Sequence, residues 1–266
     1  MACTPPRVRD PRGRGLSLDV LVVTYHSISD AGGPTSIPPD VFAMQMQTLA
    51  DLGRRSLRLR EFIDWHDGKN NGPDDGVLIT FDDAFEDFAK VAAPILQRHG
   101  FSALVFVPTQ RLGHPEGWIG ANTPPRPLMS WETVRSLAKN GIEFGGHSRT
   151  HANLTKLSPA EREGEIAGCA DDLAAQIGKP IEGFAAPYGR VSPEVVETIG
   201  RHYRAAFGTR LALPRRGRDR FDIPRIDMHY FRDSKHWAGL LRGSRNYLRL
   251  RQSLRAVRSR VVRAPY

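Results

Sequence analysis

The chain has 266 residues, a formal net charge of +9 and only two cysteines, Cys3 and Cys169. This length can bury one large core. The cysteine count excludes a disulfide-stapled scaffold, and no apolar stretch approaches the ~20 residues that cross a bilayer. The basic excess gathers at the ends, in the Arg-rich segment Met1–Gly15 and from Leu240 to Tyr266, where Arg recurs without a single acid. Leu16 to Tyr25 is broken by Asp19 and lacks a small-residue cleavage pattern, so we expect no secretory signal and a cytoplasmic protein.

In chain order, residues 1–15 read as a disordered basic tail, residues 16–239 as one α/β domain, and residues 240–266 as a basic amphipathic helix. Leu18 to Tyr25 is a buried strand ending in His26. Asp40 reads as the N-cap of a helix with Phe42, Met46, Leu49 and Leu52 at helical spacing, stopped by Gly53. A short strand and helix follow over Leu57 to Trp65. Val77 to Phe81 is the second main strand, and a helix is predicted from Phe85 to His99. Ala103 to Val107 is the next strand, and Pro108 to Pro127 is a loop long enough to suggest function. Ser130 caps a helix, Ile142 to Gly146 is a strand, and Ser158-Pro159 opens a helix closed by Gly178. Ile181 to Ala186, Arg204 to Phe207 and Phe221 to Ile226 complete the strands, with a helix opened by Ser192-Pro193 between the first two. Regular alternation of strand and helix predicts a mainly parallel sheet.

Chemistry-bearing residues collect at strand ends: His26, Asp82-Asp83, His147-Ser-Arg-Thr-His151 and Ala186-Pro-Tyr-Gly189. Neighbouring strand residues point to opposite faces, so Asp82 and Asp83 share a face only if the chain turns there. Alone, the pair also fits a solvated turn before a helix. His147 and His151, four apart after two glycines, can converge on one point, and with a carboxylate they make a two-His, one-carboxylate set. Such a set suits Zn²⁺, and also Fe²⁺, Co²⁺ or Ni²⁺.

Thr80-Phe-Asp-Asp83, His147-Ser-Arg-Thr-His151 and Ala186-Pro-Tyr-Gly189, in that order, resemble the motifs of the polysaccharide deacetylase family (carbohydrate esterase family four). Tyr25-His26 and Met129-Ser-Trp131 ahead of Gly145-Gly-His147 are similar to its poly-N-acetylglucosamine deacetylase branch. The resemblance implies a distorted (β/α) barrel in a single domain and a metal-dependent hydrolase that removes N-acetyl groups from aminosugars of a glycan or glycolipid. It implies Asp83, His147 and His151 as ligands of one divalent ion, zinc foremost, and Asp82 as general base. It also places Pro187 and Tyr188 against substrate, with the Tyr188 backbone N–H as oxyanion donor. Where the family often carries an Arg before Pro-Tyr-Gly, this chain has Ala185-Ala186, and Arg225 is the candidate replacement that orients Asp82. The family's late Leu-x-x-His-Asp motif is missing as well, leaving His26 as the expected acid and His229 as its competitor.

The same resemblance covers deformylases of lipid-linked aminosugars and hydrolases of other small amides. An inactive glycan-binding module is the reading from another class. Nucleic acid is not an expected partner, because the basic residues lie at the termini with little aromatic interleaving. In the tail, Tyr247, Leu250, Leu254, Val257 and Val261 form a helical stripe flanked by Arg242, Arg245, Arg249, Arg251, Arg255, Arg258, Arg260 and Arg263. That helix either packs its stripe on the barrel or touches anionic lipid at the inner membrane face.

Overall fold

A computed structural model describes residues 19–69, 75–118 and 120–261, with side chains as far as 258. The expected disordered tail, Cys3 and the stretch 70–74 lie outside the described residues. The strands in chain order are β1 (Leu21–Tyr25), β2 (Ser27–Ile28), β3 (Ser36–Ile37), β4 (Arg55–Ser56) and β5 (Gly76–Phe81), followed by β6 (Leu104–Val107), β7 (Glu143–Gly146), β8 (Gly183–Ala185), β9 (Ala205–Phe207) and β10 (Ile226–Asp227). The helices are α1 (Pro39–Asp51), α2 (Leu59–His66), α3 (Ala93–Arg98), α4 (Trp131–Lys139), α5 (Pro159–Ile177), α6 (Pro193–His202), α7 (Ser234–Leu241) and α8 (Asn246–Val261).

One parallel sheet runs β10-β1-β5-β6-β7-β8-β9, with β4 added beside the start of β5. The open edges of this sheet meet. Phe207 at the end of β9 bridges Ile223 in parallel, while Ile226 and Asp227 pair with Val23 and Thr24 of β1. The segment 223–227 therefore closes a distorted (β/α) barrel in a single domain.

Strand periodicity sorts the core into two clusters, as expected for strands buried on both faces. Val22, Leu78, Leu104, Phe106, Ala185, Ala205, Phe207 and Ile223 face inward and pack with Leu59, Phe62, Ile63 and Trp65, so β4 and α2 plug the end of the barrel where the strands begin. The alternate residues, among them Leu21, Val23, Ile79, Phe81 and Val105, face the surrounding helices. Cys169, beneath β6, is a free thiol pushed up to about 12 by burial. It is a core residue with no thiolate to offer.

Helices α5 and α6 start behind Ser158 and Ser192, whose hydroxyls accept from the backbone of Glu161 and Val195, and Gly178 ends α5 in a left-handed turn. Four expectations change. Asp40 is not a cap: Pro39 occupies the first turn behind Pro38, and Asp40 lies within the helix. The predicted helix from Phe85 is present from Glu86, but its segment Phe88–Ala92 widens into a π turn before α3 at Ala93. Pro94 has no N–H for the carbonyl four residues back, and the wider turn relieves that mismatch. The last strand is shorter than predicted because Pro224 interrupts its ladder. Residue 240 falls inside α7, and the tail helix begins at Asn246 after a turn at Gly243.

Candidate functional site

The two acids at the end of β5 part company through a backbone turn. The Asp82 N–H still donates to Tyr25 O (3.0 Å), so Asp82 keeps the inward direction of Leu78 and Thr80. Asp83 and Ala84 then take positive φ of 73° and 59°, which turns the second carboxylate toward β7. The N–H groups of Met129 and Glu86 hold this turn through Ala84 O and Pro127 O, both at 2.9 Å. Among the described residues six non-glycines have positive φ, and five of them, Asp83, Ala84, Ser148, His151 and Tyr188, lie here. Each costs of order 1–3 kcal/mol, and their gathering at one mouth of the barrel marks a site whose geometry the rest of the fold sustains.

Asp82 is buried, and Arg225 grips it from the closing segment. Nη1 and Nη2 donate to the two carboxylate oxygens at 2.7 and 2.8 Å. Nε donates to Gly208 O (2.9 Å), Nη1 also reaches Thr80 Oγ1 (3.2 Å), and the guanidinium lies over the Phe106 ring. Burial by itself would raise the Asp82 pKa, but the Arg225 charge and hydrogen bonds outweigh it and hold the carboxyl below its ordinary range. Ala185 sits on the inward face of β8, where its small side chain belongs to the same cluster as Phe106. Arg225 thus reaches the acid from the closing segment at β10, two strands from β5 by way of β1. His26 continues the inward register of β1 and places Nε2 3.8 Å from Asp82 Oδ2.

The other acid meets the two histidines. Asp83 Oδ1 lies 3.3 Å from His147 Nε2 and 3.2 Å from His151 Nε2, and all three residues are buried. His147 Nδ1 donates to Ala185 O (2.7 Å), which leaves Nε2 as the ring atom turned toward Asp83. The His147–His151 turn is tied to α5, where Glu165 accepts from the N–H groups of Arg149 (2.8 Å) and Thr150 (2.9 Å). Gly145 gives β7 its path: a Cβ there would stand 2.7 Å from Gly183 O and from the Phe106 ring.

Burial raises the Asp83 pKa, yet the hydrogen bonds to both imidazoles override it and hold the carboxyl well below its ordinary range. Burial pushes both histidines toward the neutral form. It prevails at His151, while at His147 the carboxylates win and the pKa is raised. Bonds of about 2.0–2.1 Å in tetrahedral array set ligand atoms about 3.4 Å apart, close to both Asp83–His separations, and all three donors lie within 4.8 Å of one another, so the set fits a small divalent cation. Asp83, His147 and His151 could hold such an ion, whose binding would compete with protonation of the imidazoles.

The rim is aromatic. Trp118 stacks on His151 (centroids 4.1 Å apart), and the Tyr188 ring meets His151 edge-on at 4.8 Å. Trp118 comes from the long loop, which is anchored by a buried pair: Arg126 Nε donates to Glu116 Oε1 at 2.8 Å while its guanidinium lies 4.1 Å over Phe85. Pro187 is buried and Tyr188 is 41% exposed beside it, on the turn predicted to meet substrate. The His229 ring is engaged elsewhere, accepting from Arg232 Nη2 (2.9 Å) and lying edge-on to Tyr230. Sequence reasoning missed Trp118, Thr80 Oγ1 and the Ala185 and Gly208 carbonyls. Carbonyls have no side-chain signature, and nothing in a Pro/Gly-rich loop told Trp118 from its neighbours.

A parallel barrel that gathers a carboxylate and two imidazoles at the C-terminal mouth, with a second acid clamped alongside, places its chemistry-bearing groups where barrels of this kind carry their sites. The profile of the polysaccharide deacetylase family matches residues 69–204, and this chain belongs to that family. Among curated proteins it is similar to YxkH of Bacillus subtilis (strain 168), named for the same family, at 26% identity over 176 residues. The match covers 66% of this chain but only 59% of that relative's length. Among solved structures it is similar to IcaB from Ammonifex degensii, with a TM-score of 0.72 and 23% identity over 85% of this chain and 97% of that one. It is also similar to the Streptococcus pyogenes deacetylase PplD in complex with acetate, with a TM-score of 0.67 and 23% identity over 79% of this chain and 91% of that one. At these identities the structural likeness carries the fold.

Proposed function

We propose that the protein is a metal-dependent N-deacetylase of aminosugar residues in a glycan or glycolipid. The observation that carries this reading is the separation of labour between adjacent acids: Asp83 joins two imidazoles, while Asp82 is turned away and held ionised by Arg225. A divalent ion on Asp83, His147 and His151, zinc foremost, would supply Lewis acidity, polarising an amide carbonyl and easing ionisation of water.

Asp82 takes the proton of the attacking water. Arg225 makes it a weaker base than a free carboxylate, and in exchange keeps it charged and aimed at neutral pH. His26, on the far side of Asp82, donates a proton to the departing amine, which cannot leave as an anion. The Pro187-Tyr188-Gly189 turn receives the acyl end, with the Tyr188 backbone N–H toward the developing oxyanion and the Trp118 and Tyr188 rings excluding water. The acetate held by the similar PplD supports acetyl as the group released.

The test is release of acetate from a panel of free, nucleotide-linked, lipid-linked and polymeric N-acetyl sugars, with and without added divalent metals. Formate released from formylated aminosugars would point to the deformylase alternative. Asp82→Asn should retain bound metal and lose turnover, whereas His147→Ala should lose both. An Asp82→Asn protein with near-parental kcat would refute the assignment.

A further inference from the structure

The sequence leaves two readings of helix α8 open, a stripe packed on the barrel or a stripe meeting anionic lipid, and most of the stripe faces away from the barrel. The barrel side of the helix is made by Leu248, which is buried, by Arg251 with its guanidinium 4.3 Å over the Tyr230 ring, and by Gln252, which donates to Leu211 O at 2.8 Å. Arg255 and Ala256 continue that side and wall a crevice of about 390 Å³ shared with Gly189, Val191 and Thr209. Tyr247 anchors the start of the helix, stacked 3.7 Å from His236. Leu250, Leu254 and Val257 face outward at 53%, 50% and 58% exposure. At 3.6 residues per turn these three fall on one line along the helix, opposite the crevice wall. Arg249 lies on one flank of that line and Arg258 on the other. Both arginines are exposed, as are Arg242 and Arg255.

A row of large aliphatic side chains held in water between guanidinium groups is unfavourable unless something covers it. A second copy would set the same arginines against each other, in a segment that has no acid from Leu240 onward. Nucleic acid would satisfy the charge and leave the aliphatic row wet, and among the described residues the one aromatic ring of α8, Tyr247, is already stacked on His236. An anionic lipid surface satisfies both, with aliphatic side chains entering the acyl boundary and guanidinium groups among the phosphates.

We propose that the outer face of α8, through Leu250, Leu254 and Val257 flanked by Arg249 and Arg258, docks the protein on anionic membrane lipid. The contact is peripheral, since no helix among the described residues is long and apolar enough to cross a membrane. The inner side of the same helix walls the crevice beside Gly189 and Val191, so docking would hold the mouth of the barrel close to the lipid headgroups.

The experiment is co-sedimentation of the full-length protein with phosphatidylglycerol/phosphatidylcholine vesicles, with pure phosphatidylcholine as control. It reads binding alone, so it stands or falls apart from deacetylation. The full chain should pellet with anionic vesicles at low salt, stay soluble with phosphatidylcholine, and release at roughly 0.5 M salt, where screening shortens to about 4 Å. Arg249→Gln with Arg258→Gln should weaken binding about 25-fold, at roughly five-fold per charge. Leu250→Gln, Leu254→Gln and Val257→Gln together should weaken it at least ten-fold and change the melting temperature little, because each of these side chains is at least half exposed. A full-length protein that stays in the supernatant at low salt overturns the proposal. So does an aliphatic triple variant that binds as well as the parent, which would reveal plain polyanion adsorption. Light scattering that finds a parental dimer and a monomeric triple variant would assign the face to a second copy instead.

Discussion

Replacing Arg225 with methionine tests the clamp on Asp82 without opening a large cavity. The wild-type pair is almost dry, with side-chain exposures of 1% and 6%. The substitution removes both charge-assisted hydrogen bonds to Asp82 and the one to Gly208 O. What remains is a buried carboxylate with His26 3.8 Å away and no guanidinium. Removing one partner of such a pair costs about 3–5 kcal/mol, most of it the charge left without compensation. The pH dependence identifies the cause. In the wild type the folded Asp82 pKa is depressed, so its contribution to stability is present above the ordinary carboxylate value and is lost as pH falls through the folded pKa. In Arg225→Met burial dominates and the folded pKa rises, so the penalty is full at neutral pH and fades as the acid protonates. Urea unfolding should therefore show a gap of about 3–5 kcal/mol at pH 7 that narrows toward pH ~4, and Asp82→Asn in the Arg225→Met background should recover part of it. A loss under about 1 kcal/mol at pH 7, or a gap of equal size at both pH values, would refute the reasoning.

His26→Ala should lower kcat on amides far more than on activated esters, whose leaving groups need no proton, while His229→Ala should change neither greatly. Equal losses on both substrates would make His26 structural. Gly145→Ala pushes a methyl group against Gly183 O and Phe106, and should cost about 1–3 kcal/mol in thermal or urea unfolding while displacing His147 and weakening metal uptake. Glu116→Gln breaks the buried pair with Arg126 and should release the loop that carries Trp118. Hydrogen exchange over residues 111–127 should quicken while the barrel strands keep their protection.

The residues that gather as Asp83, His147 and His151, and the paired acids, were legible because each motif is local: a strand, its terminal residues and the turn that follows. Their strands also announced themselves as continuous β-branched and apolar runs, and three helices declared their starts through Ser130, Ser158 and Ser192. The clamp was only partly legible. Arg225 lies 143 residues from Asp82, and its proximity is a property of ring closure that no local pattern carries. Trp118 was invisible for the complementary reason, since it reaches His151 from a loop ordered by one ion pair rather than by periodicity. The outward stripe of α8 shows a different limit. Helical spacing reports that an apolar face exists, and only the tertiary contacts say whether the protein or something outside it covers that face.

Closure of the ring by residues 223–227 also bears on how the protein is made. A chain emerging from the ribosome presents His26, Asp82, Asp83, His147 and His151 long before Arg225. Until that last segment docks between β9 and β1, Asp82 has no buried counter-charge, and its desolvation opposes the compact state. The nascent barrel therefore stays open at the seam where its candidate base is to be seated. Seating of the Asp82 carboxylate and completion of the fold arrive in one step, so a polypeptide released short of Arg225 leaves both the barrel seam and the acid without their partner.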